Sequence, residues 1–185
     1  MAMSVAPILQ LGNPALRERS VLVAEPDGAT TLALAGDLRD TLLDHRARTG
    51  YGRGIASPQL GTLARVLHLE AEGSRTLVNP VITARSEHTM VLWDFCFSYF
   101  SIVFPVRRHV LVEVKYQDLQ GREQRIEAVG DMAELLQHEI DHLDGVLAID
   151  LVTEPSRICT FAEWEARHAG ENQRVVAEAL RSLKG

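Results

Sequence analysis

Two histidines and a glutamate lie together in the segment His138-Glu139-Ile140-Asp141-His142, in a spacing that suits a metal-dependent hydrolase. Residues four apart share one face of a helix, so both imidazoles can reach one ion. Glu139 follows the first histidine and could take a proton from water bound at that ion. The H-E-x-x-H pattern alone is about as consistent with an ordinary surface helix.

A catalytic site with two histidines needs a third protein ligand and an open position for water. Cys96, in the apolar segment WDFCFSYF, is one candidate, although a buried core thiol is the simpler interpretation of that residue alone. A zincin-type endopeptidase would instead use a downstream ligand on a second helix. The downstream candidates do not lie on an obvious helix at that separation: Asp144, Asp150, Glu154 and His168.

The composition is that of a globular protein of ordinary size, with 185 residues, 46% of them hydrophobic and 24% charged. The net charge of −6 gives no general attraction to nucleic acid or anionic membranes. No apolar run is long enough for a transmembrane helix, and the N-terminus lacks the pattern of a signal peptide. Two cysteines are too few for a disulfide framework. We therefore expect a cytoplasmic protein without membrane partners.

The elements around the H-E-x-x-H segment predict an α+β fold. Apolar spacing predicts a first helix, a central helix that carries His138 and His142, and a tail helix with a break near Gly170. Runs of β-forming residues predict strands and one antiparallel hairpin between the first two helices. The predicted helices are Thr31–Arg48, Asp131–Leu143 and Thr160–Leu183; the predicted strands are Ala64–Leu69, Arg75–Val78 and the hairpin His109–Tyr116 with Gln124–Val129.

Three separated motifs resemble those of the peptide deformylases, in the same order. QHEIDHLDGVL (Gln137–Leu147) is similar to the family's Q-H-E-x-D-H-L-x-G helix, and GRGIASPQLG (Gly52–Gly61) to its Gly-x-Gly-x-Ala-Ala-x-Gln loop. WDFCFS (Trp93–Ser98) is similar in outline to its E-G-C-L-S strand. The resemblance implies antiparallel sheets packed around a central H-E-x-x-H helix, with N- and C-terminal helices. It also implies one domain over 1–185, with a family-like region to residue 151 and a helical tail over 152–185.

The resemblance implies a metal held by three side chains and a general base beside it. Fe(II) is the expected ion, and Zn(II) or Ni(II) are alternative occupants that a thiolate and two imidazoles also suit. Glu139 would take a proton from the attacking water and pass it to the departing amine. The implied ligands are Cys96, His138 and His142.

The resemblance also implies the groups that stabilise the reacting oxygen and position the substrate. The Gln59 amide and the backbone N–H of Phe97 would donate to the developing oxyanion. Gly52 and Gly54 would let the loop backbone pair with an extended peptide. Asp141 would fix the tautomer of a ligand histidine, and its alternative is an exposed helix carboxylate.

Departures from the family pattern cluster on the substrate side. Asp94 and Phe95 replace the family's Glu-Gly before the cysteine, and Arg53 replaces an aliphatic residue of the methionine pocket. Asp131 and Glu134 lie two turns and one turn before His138 on its helix face. Our hypothesis is that the pocket is rebuilt, either closed by an Arg53–Glu134 ion pair or made selective for a polar or basic side chain. The alternative is that these side chains tilt toward water and the methionine pocket survives.

The tail after residue 160 shows no excess of basic residues, so attraction to ribosomal RNA is not predicted. Its apolar face is typical of a helix that packs on its own domain. That face consists of Phe161, Trp164, Val175, Val176, Leu180 and Leu183.

The sequence favours a hydrolase that removes the formyl group from N-formylmethionyl peptides or nascent chains, without direct nucleic-acid binding. A first alternative is a related deacylase of another N-formyl or N-acyl substrate, which the charged pocket residues favour. A second is a non-catalytic binding protein that keeps the fold. Retention of a general base with the ligand set argues against that alternative, because binding needs no base. The oligomeric state is left open.

Overall fold

The computed structural model describes residues 4–183 of the chain; residues 1–3 and 184–185, which belong to the predicted domain, lie outside the described part. Seven strands follow one another between the first two helices, an order that agrees with the predicted α+β class. The helices are α1 (Ala29–Thr49), α2 (Asp131–Leu143), α3 (Phe161–Arg167) and α4 (Glu171–Ser182). The strands are β1 (Gly54–Ala56), β2 (Val66–Glu70), β3 (Ser74–Arg85), β4 (Thr89–Asp94), β5 (Ile102–His109), β6 (Leu111–Gln117), β7 (Glu123–Val129) and β8 (Cys159–Thr160).

Two antiparallel sheets enclose helix α2. The larger sheet has the order β1-β2-β3-β6-β7, and the smaller has the order β4-β5-β8. Leu136 and Leu143 of α2 are fully buried against apolar side chains of the larger sheet, such as Leu67, Leu77 and Val114. The predicted arrangement, in which antiparallel sheets pack around the H-E-x-x-H helix, is confirmed.

Helix α2 begins and ends where the sequence predicts. Gly130 precedes it with a φ of 58°, and Asp144 closes it. Asp131 and Glu134 lie in its first turn, where acids interact favourably with the helix dipole. Eleven of its thirteen residues are buried, so its polar face, as well as its apolar face, lies inside the protein.

Strand β3 is longer than the sequence predicts, and strand β5 is not among the predicted strands. The predicted strand ends at Val78, but β3 continues through Asn79 at a φ of 53° with shifts of register. Strand β5 contains Pro105, which argues against a strand in sequence. Pro105 lies opposite Trp93 in β4, at a position where the ladder needs no N–H donor from β5.

The tail returns to the smaller sheet. Strand β8 pairs with β5, and the tail helix is broken at Gly170 as predicted. The predicted apolar face packs on the domain, since Val175, Val176 and Leu180 contact the cluster of Met90 and Leu92 beneath α4. Among the described residues, no helix has the length and apolar character required to cross a membrane.

Candidate metal centre

Three side chains that can bind a metal meet at the end of β4. Cys96 lies two residues after that strand, and His138 and His142 lie one turn apart in α2. One ligand atom from each lies within 4.8 Å of the others, and all three residues are buried. The fold therefore brings together the three residues that the sequence predicts as ligands.

The geometry of the cluster fits a divalent transition metal. The Cys96 Sγ and His142 Nε2 atoms are 3.2 Å apart. Sulfur and nitrogen ligands of one tetrahedral ion lie roughly 3.5 Å apart, given ordinary bond lengths. The Nδ1 atom of His142 and one carboxylate oxygen of Glu139, both buried, have no hydrogen-bond partner among the described residues. A soft thiolate with two imidazoles is a suitable donor set for such an ion.

Asp94 orients the first histidine of the cluster. Its carboxylate lies 3.0 Å from the Nδ1 atom of His138, and it also accepts from Arg108 at 3.2 Å. A proton on Nδ1 that points to Asp94 leaves Nε2 of His138 free for a metal. Burial acts to raise the pKa of Asp94, but the charges of His138 and Arg108 outweigh it and hold that pKa well below its usual range. Burial likewise acts to lower the pKa of His138, and Asp94 reverses the effect.

Asp141 does not make the contact predicted for it. It binds the guanidinium of Arg108 rather than a ligand histidine, and burial raises its pKa despite that partner. The reason is geometric, because Asp141 lies on the side of α2 that faces β5. The contact with a ligand histidine is made instead by Asp94, which the sequence indicated only as a replacement for the family's glutamate.

Arg108 is a buried residue of the site that the sequence did not indicate. It is 3% exposed and joins Asp94 to Asp141 behind the metal ligands. Burial acts to lower the pKa of Arg108, but the two carboxylates raise it above its ordinary value. A basic residue at an inward position of an apolar strand, within IVFPVRRH, is the signal that could have indicated a buried ion pair.

Glu139 lies at the metal end of a cleft and is 3% exposed. Burial raises the pKa of Glu139 to about 7, although the nearby His138 charge acts in the opposite direction. Gly54 of β1 lies directly against this carboxylate. A Cβ atom at Gly54 would be 2.7 Å from the Glu139 Oε1 atom, so any side chain there would displace the Glu139 carboxylate. Such a carboxylate can exchange protons near neutral pH.

Gln59 and Phe97 lie beside the cysteine ligand. The Gln59 Oε1 atom accepts from the N–H of Ala56, and its Nε2 atom lies 3.3 Å from Cys96 Sγ. This pairing fixes the amide so that its N–H groups point toward the metal cluster. Phe97 begins a short helical turn directly after Cys96, and its ring packs on His45 with 3.9 Å between centroids.

The cleft has a volume of about 440 Å³ and is lined on one side by the loop before β1 and on the other by the end of β4. Arg53 reaches across to α2, where its guanidinium lies 2.5 Å from a Glu134 carboxylate oxygen. Burial acts to lower the pKa of Arg53, and the charge of Glu134 more than compensates. All residues predicted to contact substrate line this cleft: Gly52, Arg53, Gly54, Phe95, Asp131 and Glu134.

A second group of potential ligands, formed by Asp94, Glu134 and His138, lies in the same cleft. Its carboxylates already balance cationic side chains, Asp94 with Arg108 and Glu134 with Arg53. This group therefore holds the charges of the site in place and needs no ion of its own.

The tail forms part of the cleft wall, which the sequence did not predict. Trp164 packs against Phe95 with 5.6 Å between ring centroids. Asn172 bonds the backbone of Trp93 through both its amide oxygen and its amide nitrogen. The tail residues that line the cleft are Trp164, Ala169, Gly170, Asn172 and Gln173. An amphipathic pattern shows that a helix packs, but it does not show beside which opening.

A family model and individual relatives point to the same protein family. The sequence model described as "Polypeptide deformylase" matches residues 5–157. The peptide deformylase of Rhizobium meliloti (strain 1021) is 37% identical over 161 residues, which cover 84% of this chain and 89% of that protein. The match to the sequence model ends before the cleft-lining part of the tail, whereas the peptide deformylase of Thermomicrobium roseum is 36% identical over an alignment that covers 96% of this chain and 98% of that protein.

Solved structures agree in fold. The peptide deformylase of Synechococcus elongatus in complex with actinonin has a TM-score of 0.75 at 28% identity, covering 84% of this chain and 88% of that one. A Met-Ala-Ser-bound peptide deformylase from Acinetobacter baumannii has a TM-score of 0.76 at 27% identity, and the superposition covers 82% of this chain and 100% of that one.

Proposed function

The chain belongs to the polypeptide deformylase family, and on this premise we propose that it hydrolyses the N-terminal formyl amide of formylmethionyl peptides. The observation that carries the proposal is the position of Glu139, a buried carboxylate at the metal end of the cleft that also contains Cys96 and His138. A binding protein has no use for a proton acceptor at that position.

Cys96, His138 and His142 would hold the metal, and Asp94 would keep His138 in the correct orientation. When bound, the ion supplies a Lewis acid that polarises the formyl carbonyl and acidifies water. We propose Fe(II) as the ion, with Zn(II) and Ni(II) as alternatives that the same donor set accepts.

Glu139 would move the proton that the reaction requires. Its carboxylate takes the proton of the attacking water and delivers it to the amine that leaves, so one group serves as base and then as acid. A pKa of about 7 suits both directions of transfer near neutral pH. Gly54 has no side chain and therefore lets β1 lie directly against the carboxylate.

Gln59 and the backbone N–H of Phe97 would stabilise the negative charge that develops on the formyl oxygen. The amide of Gln59 is already fixed by its bond to Ala56, so little reorganisation is needed when charge appears. Its nitrogen lies beside Cys96, at the same end of the cleft.

The peptide would lie as an extended strand between two sheet edges. Arg53 accepts from the N–H of Glu70 and pairs with β2, so the polar backbone groups of Gly54, one residue later, point away from β2 into the cleft. Across the cleft, Phe95 continues the outer edge of β4. A strand placed between Gly54 and Phe95 would bring its formyl group to Glu139.

A second candidate function is deformylation or deacylation of a different N-terminal residue. The Arg53–Glu134 ion pair favours it, because charged groups occupy the cleft wall next to His138. In either case the partner is the N-terminus of a formylated peptide or nascent chain. The cytoplasm, where such chains are made, is the proposed location.

Formate release from formyl-Met-Ala-Ser tests the first proposal, with anaerobically prepared Fe(II)-loaded protein. The matched control is Glu139→Gln, which keeps the size of the side chain beside Gly54. We expect release by the native chain and a loss of at least about a hundredfold in the variant. No release by a native chain that holds one metal ion would exclude this substrate and favour the second candidate.

A further inference from the structure

Strand β4 has one free edge, and its hydrogen-bonding groups alternate between that edge and β5. Trp93 lies opposite Pro105 in β5, and the N–H and C=O groups of Trp93 point outward, since both bond the side chain of Asn172. Two residues later, Phe95 continues the same edge toward Cys96. The groups of Phe95 and Trp93 are therefore successive pairing positions for any strand added at this edge.

Asn172 occupies the outer of these two positions. Its Oδ1 atom accepts from the N–H of Trp93 at 2.9 Å, and its Nδ2 atom donates to the C=O of Trp93 at 2.8 Å. The side-chain amide thus satisfies both backbone groups of Trp93 as a neighbouring strand would.

The first turn of α4 is held firmly in this position. The indole N–H of Trp93 donates to Glu171 at 2.7 Å, and His168 contacts the same carboxylate at 2.8 Å. Further along α4, Val176 and Leu180 pack over the β4 side chains Met90 and Leu92. An amide anchored on both sides is not displaced easily by an incoming peptide.

We propose that Asn172 stops the substrate strand, so that this chain recognises formyl peptides through their first two or three residues only. The inference rests on the proposed function. The formyl group lies by Cys96 and Glu139, so the first or second residue pairs with Phe95 and the chain runs toward Trp93. Two residues further along, a distance of about 6.7 Å, it meets the amide of Asn172.

The residue that stops the strand lies beyond the part of the chain that the family's sequence model matches. That match ends at residue 157, whereas Asn172 and its neighbours lie in α4. Gly170 and Gln173, on either side of this short segment, also line the cleft. The substrate class is therefore an N-formyl peptide read by a short N-terminal segment, whatever sequence follows.

The test compares peptides of one to six residues in two series. Formyl peptides report kcat/KM, and peptide hydroxamates of the same sequences report dissociation constants on the metal-loaded protein without any turnover. For the native chain both quantities should stop improving at two or three residues. In Asn172→Ala the next one or two residues should add a further gain of about tenfold, the effect of two newly available backbone hydrogen bonds.

Two more variants make the result specific. Asn172→Asp keeps the acceptor for the Trp93 N–H but frees its C=O, so a smaller gain is expected, and this variant serves if the alanine variant does not fold. Gln173→Ala removes a cleft-lining amide that does not bond Trp93, and its profile should stop at the native length.

Equal gains with length in the native and Asn172→Ala proteins would overturn the proposal, as would the absence of any gain in both Asn172 variants. If no protein releases formate from any peptide, the proposed activity fails. The hydroxamate profile still decides whether Asn172 is the stop.

Discussion

Asp94 determines how the metal ligands are held, at the scale of single residues. Its carboxylate contacts His138 and Arg108 and is almost fully buried. A carboxylate that accepts from a ligand histidine fixes the ring and increases its basicity, and the loss of such a partner commonly weakens metal binding tenfold to a hundredfold.

Asp94→Asn should therefore weaken metal binding by about tenfold to a hundredfold. Competition with a chelator measures the affinity, and circular dichroism of the metal-free proteins shows whether the fold is kept. Asp141→Asn is the matched control, because Asp141 contacts Arg108 but not a histidine. An equal loss in both variants would mean that the charge on Arg108, rather than the orientation of His138, is what matters.

Arg53 and Glu134 should determine which first side chain the cleft accepts. Replacement of both by leucine exposes an apolar wall that is worth about 1.5–3 kcal/mol to a buried methionine side chain. We expect Arg53→Leu with Glu134→Leu to raise kcat/KM for formyl-Met over formyl-Lys peptides by about tenfold or more.

The two single variants complete a double-mutant cycle for this ion pair. Arg53→Leu leaves the carboxylate of Glu134, whose side chain is 9% exposed, without its cation, so it should be less stable than the double variant. A native chain that already prefers formyl-Met as strongly as the double variant does would show that the ion pair lies outside the side-chain pocket.

His138 and His142 were predictable from sequence because their spacing follows from the helix period, whereas Cys96 was indicated as a ligand only by the resemblance to the family. The charged wall was predictable because Arg53 and Glu134 are unusual at their places in the motifs. The partner of His138 was not predictable. Asp94 and Asp141 are both acids near the ligands, and only the packing of β4 and β5 against α2 decides which carboxylate reaches the ring.

At the scale of elements, the short strand β1 positions the general base. Gly54 is the point of closest approach, since a Cβ atom there would lie 2.7 Å from Glu139 Oε1 and 2.9 Å from its Cγ atom. Strand and helix can touch at this distance only because the residue has no side chain.

Gly54→Ala should lower kcat by about a hundredfold, because a shift of about 1 Å in a catalytic group has effects of that size. The bound metal should remain, since the ligands lie on other elements. Formate release and metal content per chain measure the two effects. Gly36→Ala is the matched control, because a Cβ atom at Gly36 meets nothing within 4 Å. Loss of metal in Gly54→Ala would show that the damage extends beyond Glu139.

Elements with a simple period were predicted well. Helix α2 has its predicted bounds because Gly130 and the Asp144-Gly145 pair stand at its ends, and the hairpin of β6 and β7 forms around the turn that follows Asp118. Strand β5 was missed because Pro105 argues against a strand in isolation. Its partner Trp93, which makes the proline tolerable, lies in a strand that pairs with it only in the folded protein.

At the scale of the whole molecule, the site exists because two sheets and the tail meet at one cleft. The larger sheet contributes Gly54, the smaller contributes Phe95, and α2 contributes Glu139 between them. Sequence motifs indicate each contribution separately. The contribution of the tail to the cleft becomes clear only in the structure, where Asn172 lies beside Trp93. No local sequence pattern links residues that are 79 positions apart.

The stability of the whole chain should fall below pH 6.5, in part because of His45. This histidine packs between the rings of Phe97 and Phe100, and its Nε2 atom is buried without a partner among the described residues. Burial lowers the pKa of His45 from 6.5, Arg48 lowers it further and Asp44 opposes them. In the unfolded chain the same ring takes up a proton near pH 6.5.

The sign of this dependence follows from proton binding. Below pH 6.5 the unfolded state binds a proton that the folded state does not, so the free energy of unfolding decreases by at most about 1.4 kcal/mol per pH unit for one histidine. His45→Leu cannot bind that proton. Urea unfolding of both proteins between pH 5 and 8, at equal metal loading so that the ligand histidines contribute equally, should show a smaller slope in the variant. Parallel curves would mean that His45 is protonated to the same extent in the folded and unfolded states, and that the aromatic cluster beside the metal centre tolerates its charge.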